Sequence, residues 1–263
     1  MNGVVNHDES SAYDGDADDY EVARPGYPAD VFDTIEHYGD FNEPPRVVEV
    51  GSGTGQATRQ MTARGWTVHG IEPGPRLAET ARTHVPCPNT RFEVTRFEDA
   101  VLTESSFDLV AAATSWHWVE TDIGYRKAHS LLKPSGKIAL FWNAHVPHTT
   151  NPAREPIRDA YLDVAPELAD PRTPDPRPPR LRPRTRDTNE RLLRPHQTPR
   201  LRLRVAYPID RFLRLIDTYA SHHALDPRRR SLLHSRLRIA ADDQLSGTVT
   251  KPYETLLLLG TRR

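Results

Sequence analysis

Val47–Thr58 reads VVEVGSGTGQAT, and this stretch decides the fold class. A short β-branched run, Arg46–Val50, predicts a buried strand, and the stretch Gln56–Arg64 predicts a helix. Three glycines separate these two elements. Glycine lets the backbone pass close to a ligand, and the first turn of a helix offers free N–H groups to an anion. Strand, loop and helix together predict a ligand-binding site, although a glycine-rich loop alone is equally compatible with a structural turn.

The spacing of Gly51, Gly53 and Gly55 narrows the class of ligand. A dinucleotide fingerprint has the pattern G-x-G-x-x-G, whose third glycine would fall on Gln56 of this chain. A phosphate-binding P-loop ends in Gly-Lys-Ser or Gly-Lys-Thr, and that ending does not occur here. The tighter G-x-G-x-G loop favours a ligand that lacks a pyrophosphate.

Strand-like and helix-like segments alternate along the chain. This alternation is typical of βαβ units, and we predict an α/β fold with a doubly wound, mostly parallel seven-stranded sheet and a small helical cap. The predicted strands are Arg46–Val50, Trp66–Ile71, Arg91–Thr95, Phe107–Ala113, Lys137–Trp142, Leu201–Tyr207 and Glu254–Thr261. The predicted cap helices are Phe212–Tyr219 and Arg229–Ile239.

Composition divides the 263 residues into four ranges. We predict a disordered acidic tail over residues 1–19, a ligand-binding core over 20–167, a disordered insertion over 168–204, and cap helices with the last strands over 205–263. Pro171–Arg204 carries eight Pro and eleven Arg against three acidic residues, so it cannot build an apolar core. This stretch is either a diverged linker or a locally frameshifted one.

Bulk properties exclude several classes of protein. A net charge of −1 gives no overall field that would steer nucleic acid or a membrane to the chain. Cys87 is the single cysteine, which excludes disulfide frameworks and Cys-rich zinc sites, and we expect no metal. No apolar run approaches the ~20 residues that span a bilayer, and the first residues are acidic, unlike a signal peptide. We therefore expect a soluble, cytoplasmic protein with no membrane partner.

Glu72 ends the second predicted strand, in the sequence GIEPGPRL. An acidic side chain at this position can accept hydrogen bonds from both hydroxyls of a ribose, as it does in dinucleotide sites. The alternative is a solvated glutamate beside a helix. Because the glycine loop follows the neighbouring strand, we favour the ribose interpretation.

These motifs together resemble the class I S-adenosylmethionine-dependent methyltransferases, within the broad type 11 and trans-aconitate-methyltransferase-like group. The resemblance covers residues 20–167 and 211–261 and implies a Rossmann-like fold with S-adenosylmethionine as cofactor. The motifs that carry it are RPGYP (24–28), VEVGSGTGQAT (48–58), IEP (71–73), RFE (96–98), FDLVAAATSWHWV (107–119) and LLKPSGKIALFWN (131–143). The Pro/Arg-rich stretch departs from the family pattern.

The resemblance also implies roles for individual residues around the cofactor. Glu49, Gly51, Gly53 and Gly55 would shape the pocket for the methionine half, and Glu72 would hold the ribose. Leu77 would lie beneath the adenine, Phe97 and Glu98 at its edge, and Thr114 beside the sulfonium. Tyr20 and Arg24 would close over the cofactor, with Arg24 pairing with the methionine carboxylate; an exposed turn is the alternative for these two.

Candidate acceptor residues lie beyond the carboxyl ends of the later strands, where ligands enter such sheets. His117, in SWHWV, is our candidate general base, and a structural histidine is the alternative. Trp116 and Trp118 are candidates for the pocket wall. His145 is a weaker candidate beyond the fifth strand. Tyr219 and His222 are candidates in the predicted cap.

The sequence thus predicts methyl transfer to a small-molecule acceptor, oxygen-directed and in specialised metabolism. One alternative is an RNA or protein methyltransferase that uses the Arg-rich stretch as a polyanion-binding arm. This stretch lacks the interleaved aromatic residues that stack on bases, which disfavours nucleic acid as a partner. A second alternative is a non-catalytic S-adenosylmethionine-binding protein.

Overall fold

The structure, a computed structural model, describes residues 23–145, 154–169, 193–196 and 201–263. The strands are β1 Arg46–Val50, β2 Thr67–Glu72, β3 Thr90–Val94, β4 Phe107–Ala113, β5 Leu132–His145, β6 Leu193–His196, β7 Leu201–Pro208 and β8 Thr248–Arg262. The α-helices are α1 Ala29–Gly39, α2 Gln56–Thr62, α3 Pro75–His84, α4 Thr121–Leu131, α5 Arg154–Val164, α6 Ile209–Asp217, α7 Ala220–His223 and α8 Pro227–Leu245. Two short 3₁₀ helices lie at Trp116–Trp118 (η1) and Pro166–Leu168 (η2).

The strands form one mixed sheet with the order β3-β2-β1-β4-β5-β8. Strands β1 to β5 pair in parallel, and β8 runs antiparallel to β5. Strand order reverses around β1, which has β2 on one side and β4 on the other. The predicted α/β, mostly parallel fold is therefore confirmed, and the carboxyl ends of β1, β2 and β4 lie side by side at one edge.

The sheet has eight strands where seven were predicted. Strands β6 and β7 both pair with β8, at residues 259–262 and 248–255 respectively, on the side away from β5. They therefore share one position in the sheet, which explains the extra strand. Both lie wholly or partly within the predicted disordered insertion. Residues 193–196 and 201–204 of that range are strands because β8 supplies their hydrogen-bond partners. The rest of the insertion and residues 1–19 lie outside the described residues.

Strand β5 starts five residues before the predicted Lys137. Phe107 of β4 pairs with Leu132, and Leu109 pairs with Lys137, so residues 133–136 bulge out of the ladder opposite a single residue, Asp108. Lys133 fixes this bulge, because its Nζ donates to Asp108 Oδ1 at 2.8 Å. The Lys-Pro-Ser-Gly sequence thus forms a bulge within the strand.

Alternating residues of the central strands fill two cores, one on each face of the sheet. Val48, Val110 and Leu140 belong to the core that α4 covers. Val47 and Leu109 belong to the opposite core, against α1 and α2. Burial on both faces accounts for the near-continuous apolar runs of β1 and β4.

The predicted helical cap is present and has a third core of its own. Helices α5, α6 and α8 pack with β7 and β8 around this cluster, which includes Leu215, Leu233 and Tyr253. None of the described helices is both long and apolar enough to cross a bilayer; α8, with 19 residues, is rich in arginine.

Candidate functional site

The glycine loop between β1 and α2 adopts backbone conformations that favour glycine. Gly51, Gly53 and Gly55 have φ angles of 66°, 55° and 86°. A Cβ at Gly51 would lie 2.5 Å from Ser115 Cβ. Around a Cβ placed at Gly53, no heavy atom of the described residues lies within 4 Å, apart from Gly53 itself and its two chain neighbours. Gly51 therefore packs against the end of β4, and Gly53 faces open space that a bound group can occupy.

The Glu72 carboxylate joins this loop to the loop after β2. Its Oε2 accepts a hydrogen bond from Gly53 N, and its Oε1 accepts one from Gly74 N, both at 2.8 Å. Glu72 is only 5% exposed. Each carboxylate oxygen has further lone pairs, so the group can hold both loops and still accept hydroxyl donors. This arrangement fits the ribose role expected from the sequence.

Glu49 lies beneath the loop as a buried, unusual carboxylate. Thr58 Oγ1 donates to its Oε2 at 2.5 Å, while Oε1 has no hydrogen-bond partner among the described residues. Burial, together with the nearby charge of Glu72, raises the pKa of Glu49 from its ordinary value near 4.5 to about 8. A positive group placed at Oε1 would stabilise the charged form, so the residue fits the ammonium of a methionine moiety.

The carboxyl end of β4 is held in a strained conformation. Thr114 has a φ of 57°, and its N donates to Phe141 O at 2.8 Å. Its Oγ1 hydrogen-bonds with the hydroxyl of Tyr27 at 2.8 Å. The next residue, Ser115, donates from Oγ to Val50 O. Thr114 therefore lies between the glycine loop and an aromatic residue that was not predicted as a site residue.

Residues 23–28, here called the N-terminal arm, lie across the carboxyl ends of the central strands. Asn143 Nδ2 donates to Gly26 O at 3.0 Å, and Thr255 Oγ1 donates to Asn143 Oδ1 at 2.6 Å. Tyr27 packs edge-on against Phe141, with ring centroids 4.8 Å apart. The sequence analysis assigned no role to Tyr27 or Asn143, although both lie within motifs that carry the family resemblance. Their partners are distant in the sequence, and polar contacts between distant segments leave no local sequence pattern.

Helix η1 places the three candidates of SWHWV in different surroundings. Trp116 is only 3% exposed, and its ring packs against Phe97 and Tyr125, with centroids 5.9 and 5.1 Å away. Its described contacts are thus those of a core residue rather than of a pocket wall. Trp118 is half-buried and lies against the His117 ring, 4.7 Å between centroids.

His117 is a neutral, largely buried imidazole. Burial lowers its pKa to about 4, and its Nδ1 has no hydrogen-bond partner among the described residues. At neutral pH the ring therefore carries no charge and retains one unengaged nitrogen. It can accept a proton or a hydrogen bond at the carboxyl edge of the sheet.

The three predicted adenine-contact residues lie near the loops after β2 and β3. Leu77, in the first turn of α3, is 6% exposed. Phe97 is 3% exposed. Glu98 Oε1 accepts from Glu120 N, 2.9 Å away at the start of α4, and lies 3.4 Å from Arg96 Nη2. Glu98 thus holds the start of α4.

Arg24, Tyr219 and His222 meet beneath the cap. The Arg24 guanidinium lies 4.9 Å from the centroid of the Tyr219 ring, and its Nη2 donates to Thr218 O at 3.2 Å. His222 Nε2 lies 2.7 Å from the hydroxyl of Tyr161, and burial lowers the pKa of His222 to about 4. The structure therefore places Arg24 against the cap, where it connects the N-terminal arm to α6.

For two of the predicted site residues, Tyr20 and His145, the structure describes no side chain. Tyr20 lies outside the described residues. His145 ends β5, where its backbone pairs with Tyr253, and nothing further is described for its side chain. The described residues contain no group of three His, Cys, Asp or Glu side chains arranged to hold a metal ion.

Comparison with known proteins gives consistent similarities. A family model described as a methyltransferase domain matches residues 48–140. An uncharacterized methyltransferase of Mycobacterium tuberculosis is 31% identical over 124 residues, which cover 47% of this chain and 49% of that protein. An uncharacterized methyltransferase of Schizosaccharomyces pombe is 29% identical over 129 residues, which cover 49% and 51% of the two chains. This chain therefore matches about half the length of either relative.

Two solved structures share the fold over most of this chain. A candidate type II methyltransferase of Anaeromyxobacter dehalogenans has a TM-score of 0.63 at 21% identity, covering 90% of this chain and 97% of that one. A Haemonchus contortus phosphoethanolamine N-methyltransferase, in complex with phosphomonomethylethanolamine and S-adenosylhomocysteine, has a TM-score of 0.52 at 14% identity, covering 97% and 58%. The matched range 48–140 contains the glycine loop, Glu49 and Glu72. Residues 48–140 of this chain are thus similar to a methyltransferase domain, and the fold around them is shared with solved methyltransferases.

Proposed function

We propose that this protein transfers the methyl group of S-adenosylmethionine to an oxygen of a small-molecule acceptor. The observation that carries the proposal is the combination of Gly53, whose Cβ position is open, with Glu72, whose carboxylate bridges the two loops beside it. When bound, the cofactor supplies a methyl group on a positively charged sulfur, already activated for transfer. The protein must then align the acceptor and exclude water.

Four residues have the surroundings needed to hold the cofactor. Gly53 leaves space for the methionine backbone, and Glu49 offers its unengaged oxygen to the ammonium group. Glu72 accepts the ribose hydroxyls, and Leu77 packs against the adenine. Glu49 lies near the end of β1, Glu72 ends β2, and Gly53 and Leu77 follow these two strands. Because the carboxyl ends of β1 and β2 are adjacent, the four roles fall in one region of the molecule.

The acceptor would enter between η1, the N-terminal arm and the cap. Tyr27 of the arm and Thr114 at the end of β4 hydrogen-bond with each other and would form the floor of this region. Tyr219 and His222 of the cap would lie on another side of this region. The Tyr219 ring contacts both the Arg24 guanidinium of the arm and the His222 ring. The arm thus contacts both the end of β4 and the cap, which favours a small acceptor over a long polymer that would need an open groove.

His117 is the proposed general base if the acceptor is a hydroxyl. Because burial keeps its imidazole neutral, it can accept the hydroxyl proton as the carbon–oxygen bond forms. A carboxylate acceptor is already ionised at neutral pH and would need no base. Methylation of a hydroxyl should therefore depend on His117, and methylation of a carboxylate should not.

The experiment that tests the proposal is a transfer assay with radiolabelled methyl groups. Purified protein and labelled S-adenosylmethionine are incubated with panels of small acids and phenols and with cell extract, and the products are separated by size. Label in a base-labile or phenolic small product is expected. Label in RNA or protein would replace the proposal with a macromolecular acceptor. Tight cofactor binding without transfer to any fraction would indicate a non-catalytic binding protein.

A further inference from the structure

A surface cleft in the cap has the composition of an anion-binding site. It lies between α6, α7 and the first turns of α8 and has a volume of about 440 Å³. Pockets that bind small molecules usually have volumes of roughly 300–1,000 Å³, so the cleft can hold a small ligand. None of its lining residues belongs to the loops after β1, β2 or β4, and the cleft is therefore separate from the proposed cofactor site.

Basic and hydroxyl side chains from three helices line this cleft. Arg214 comes from α6, His223 from α7, and Arg230 and His234 from α8. Asp217 is the single carboxylate among the described lining residues, and its Oδ1 lies 3.0 Å from His234 Nε2. The lining therefore carries two guanidinium groups and one carboxylate, which is already hydrogen-bonded, so the cleft has positive character.

Arg230 differs from other arginines of the same helix. Arg229, Arg236 and Arg238 lie 2.7, 2.9 and 2.7 Å from carboxylate oxygens of Glu167, Asp163 and Asp210, respectively. These three side chains tie α8 to η2, α5 and α6, whereas Arg230 lines the cleft. Three arginines of α8 thus form ion pairs with neighbouring elements, whereas Arg230 lines the cleft.

The start of α8 adds little to anion binding by its backbone. Asp226 caps the helix, and its Oδ1 accepts from Arg228 N and Arg229 N at 3.1 and 3.0 Å. Those N–H groups are therefore already engaged. Any affinity of the cleft for an anion must come from its side chains.

We propose that this cleft binds a small oxyanion with at least two negative charges, such as a phosphate monoester or a polycarboxylate. The planar guanidinium group of Arg230 matches the paired oxygens of either group, and Arg214 adds a second positive charge to the lining. His223 and Ser231 supply further donors at the rim. Thr218, which also lines the cleft, accepts the Arg24 hydrogen bond, so the site adjoins the N-terminal arm. The proposal does not depend on the proposed methyl transfer.

Calorimetric titration at low ionic strength tests this site, with inorganic phosphate and citrate as the probes. Saturable binding of at least one probe is expected. Arg230→Gln and Arg214→Gln should each weaken it about tenfold or more, because a hydrogen bond to a charged group contributes about 1.5–3 kcal/mol. Arg238→Gln is the matched control on the same helix and should leave the affinity within about twofold of wild type.

The preferred probe distinguishes the two sources of the oxyanion. Tighter binding of phosphate would assign a phosphorylated ligand, and tighter binding of citrate a polycarboxylate. The proposal is overturned if neither probe binds saturably. It is also overturned if Arg238→Gln weakens binding as much as Arg230→Gln does, because the loss of affinity would then reflect the overall charge of the helix and not a specific site. Unchanged S-adenosylhomocysteine affinity in all three variants would show that they remain folded.

Discussion

Glu49 is a fully buried carboxyl group whose charged form receives one hydrogen bond, from Thr58. Since its pKa is raised from about 4.5 to about 8, the folded state binds more protons than the unfolded state between these values. The stabilising contribution of this proton is complete below about pH 4.5 and is lost as the pH rises through about 8. The ligand-free protein should therefore lose stability across this interval.

Glu49→Gln should remove most of this pH dependence. Glutamine is close in size to a protonated glutamic acid and cannot ionise, so the variant should be more stable than wild type by up to a few kcal/mol at pH 8.5. Near pH 4.5 the two proteins should differ little. Urea unfolding at a series of pH values measures the difference, and parallel pH profiles for the two proteins would contradict the prediction.

Gly53 gives a direct test of the cofactor site. Gly53→Val places a side chain in the space that the cofactor needs, and Glu72→Ala removes the carboxylate that would accept the ribose hydroxyls. Both variants should weaken S-adenosylhomocysteine binding, by about tenfold or more, in calorimetry. Gly247→Val is a matched control, because Gly247 also has a positive φ, 72°, but lies in the turn after α8. Equal loss of binding in the control would point to backbone strain alone.

His117→Asn separates the two roles left open for this histidine. Asparagine retains a hydrogen-bonding group but cannot act as a base, so the transfer rate to a hydroxyl acceptor should fall by ~10²–10⁴-fold. A base whose pKa is about 4 is weak, which favours the lower end of this range. Cofactor affinity should be unchanged. Wild-type rates on the true acceptor would assign His117 a structural role.

Local pattern was sufficient for some elements and not for others. The bounds of β1 and β4 agree with the prediction, because each is an apolar run that ends in a tight turn. Strand β6 was not predicted, since Leu193–His196 contains proline and arginine and is a strand only because β8 lies beside it. The cofactor loop was predicted from its spacing. Tyr27 and Asn143 were not, because their partners lie far away in the sequence.

The N-terminal arm depends on a few hydrogen bonds at the ends of β5 and β8. Asn143→Ala would remove the bonds to Gly26 and Thr255 and leave the buried Thr255 hydroxyl without that acceptor, at a cost of about 1–3 kcal/mol. Asn143→Asp retains an acceptor for Thr255 but loses the donor to Gly26. It places a carboxylate oxygen against Gly26 O instead, so it should also destabilise the protein and increase amide exchange over residues 23–28. Unaltered exchange in both variants would show that the arm is held by other contacts.

Strand β8 belongs to both the sheet and the cap. Leu257 lies in the core against α1, whereas Tyr253 of the same strand lies in the cap core. Two cores that share a strand should unfold together. The whole molecule is therefore expected to show one cooperative transition.

The positions of the tryptophans make this expectation testable. All four tryptophans lie within residues 66–142, outside the cap. Leu233→Ala creates a cavity in the cap, at a cost of about 2–5 kcal/mol, and should lower the midpoint of the tryptophan-fluorescence transition as much as Leu257→Ala does in the sheet. An unchanged tryptophan midpoint in Leu233→Ala would mean that the cap unfolds independently.

The position of β8 in the sequence also sets an order of events during synthesis. Strands β1 to β5 find their parallel partners among themselves and can assemble while later residues are still in the ribosome. Strands β6 and β7 are made before β8 but cannot pair until residues 248–262 emerge. During this interval the nascent β7 is an unprotected edge, and its exposed Arg202 and Arg204 discourage pairing with neighbouring chains.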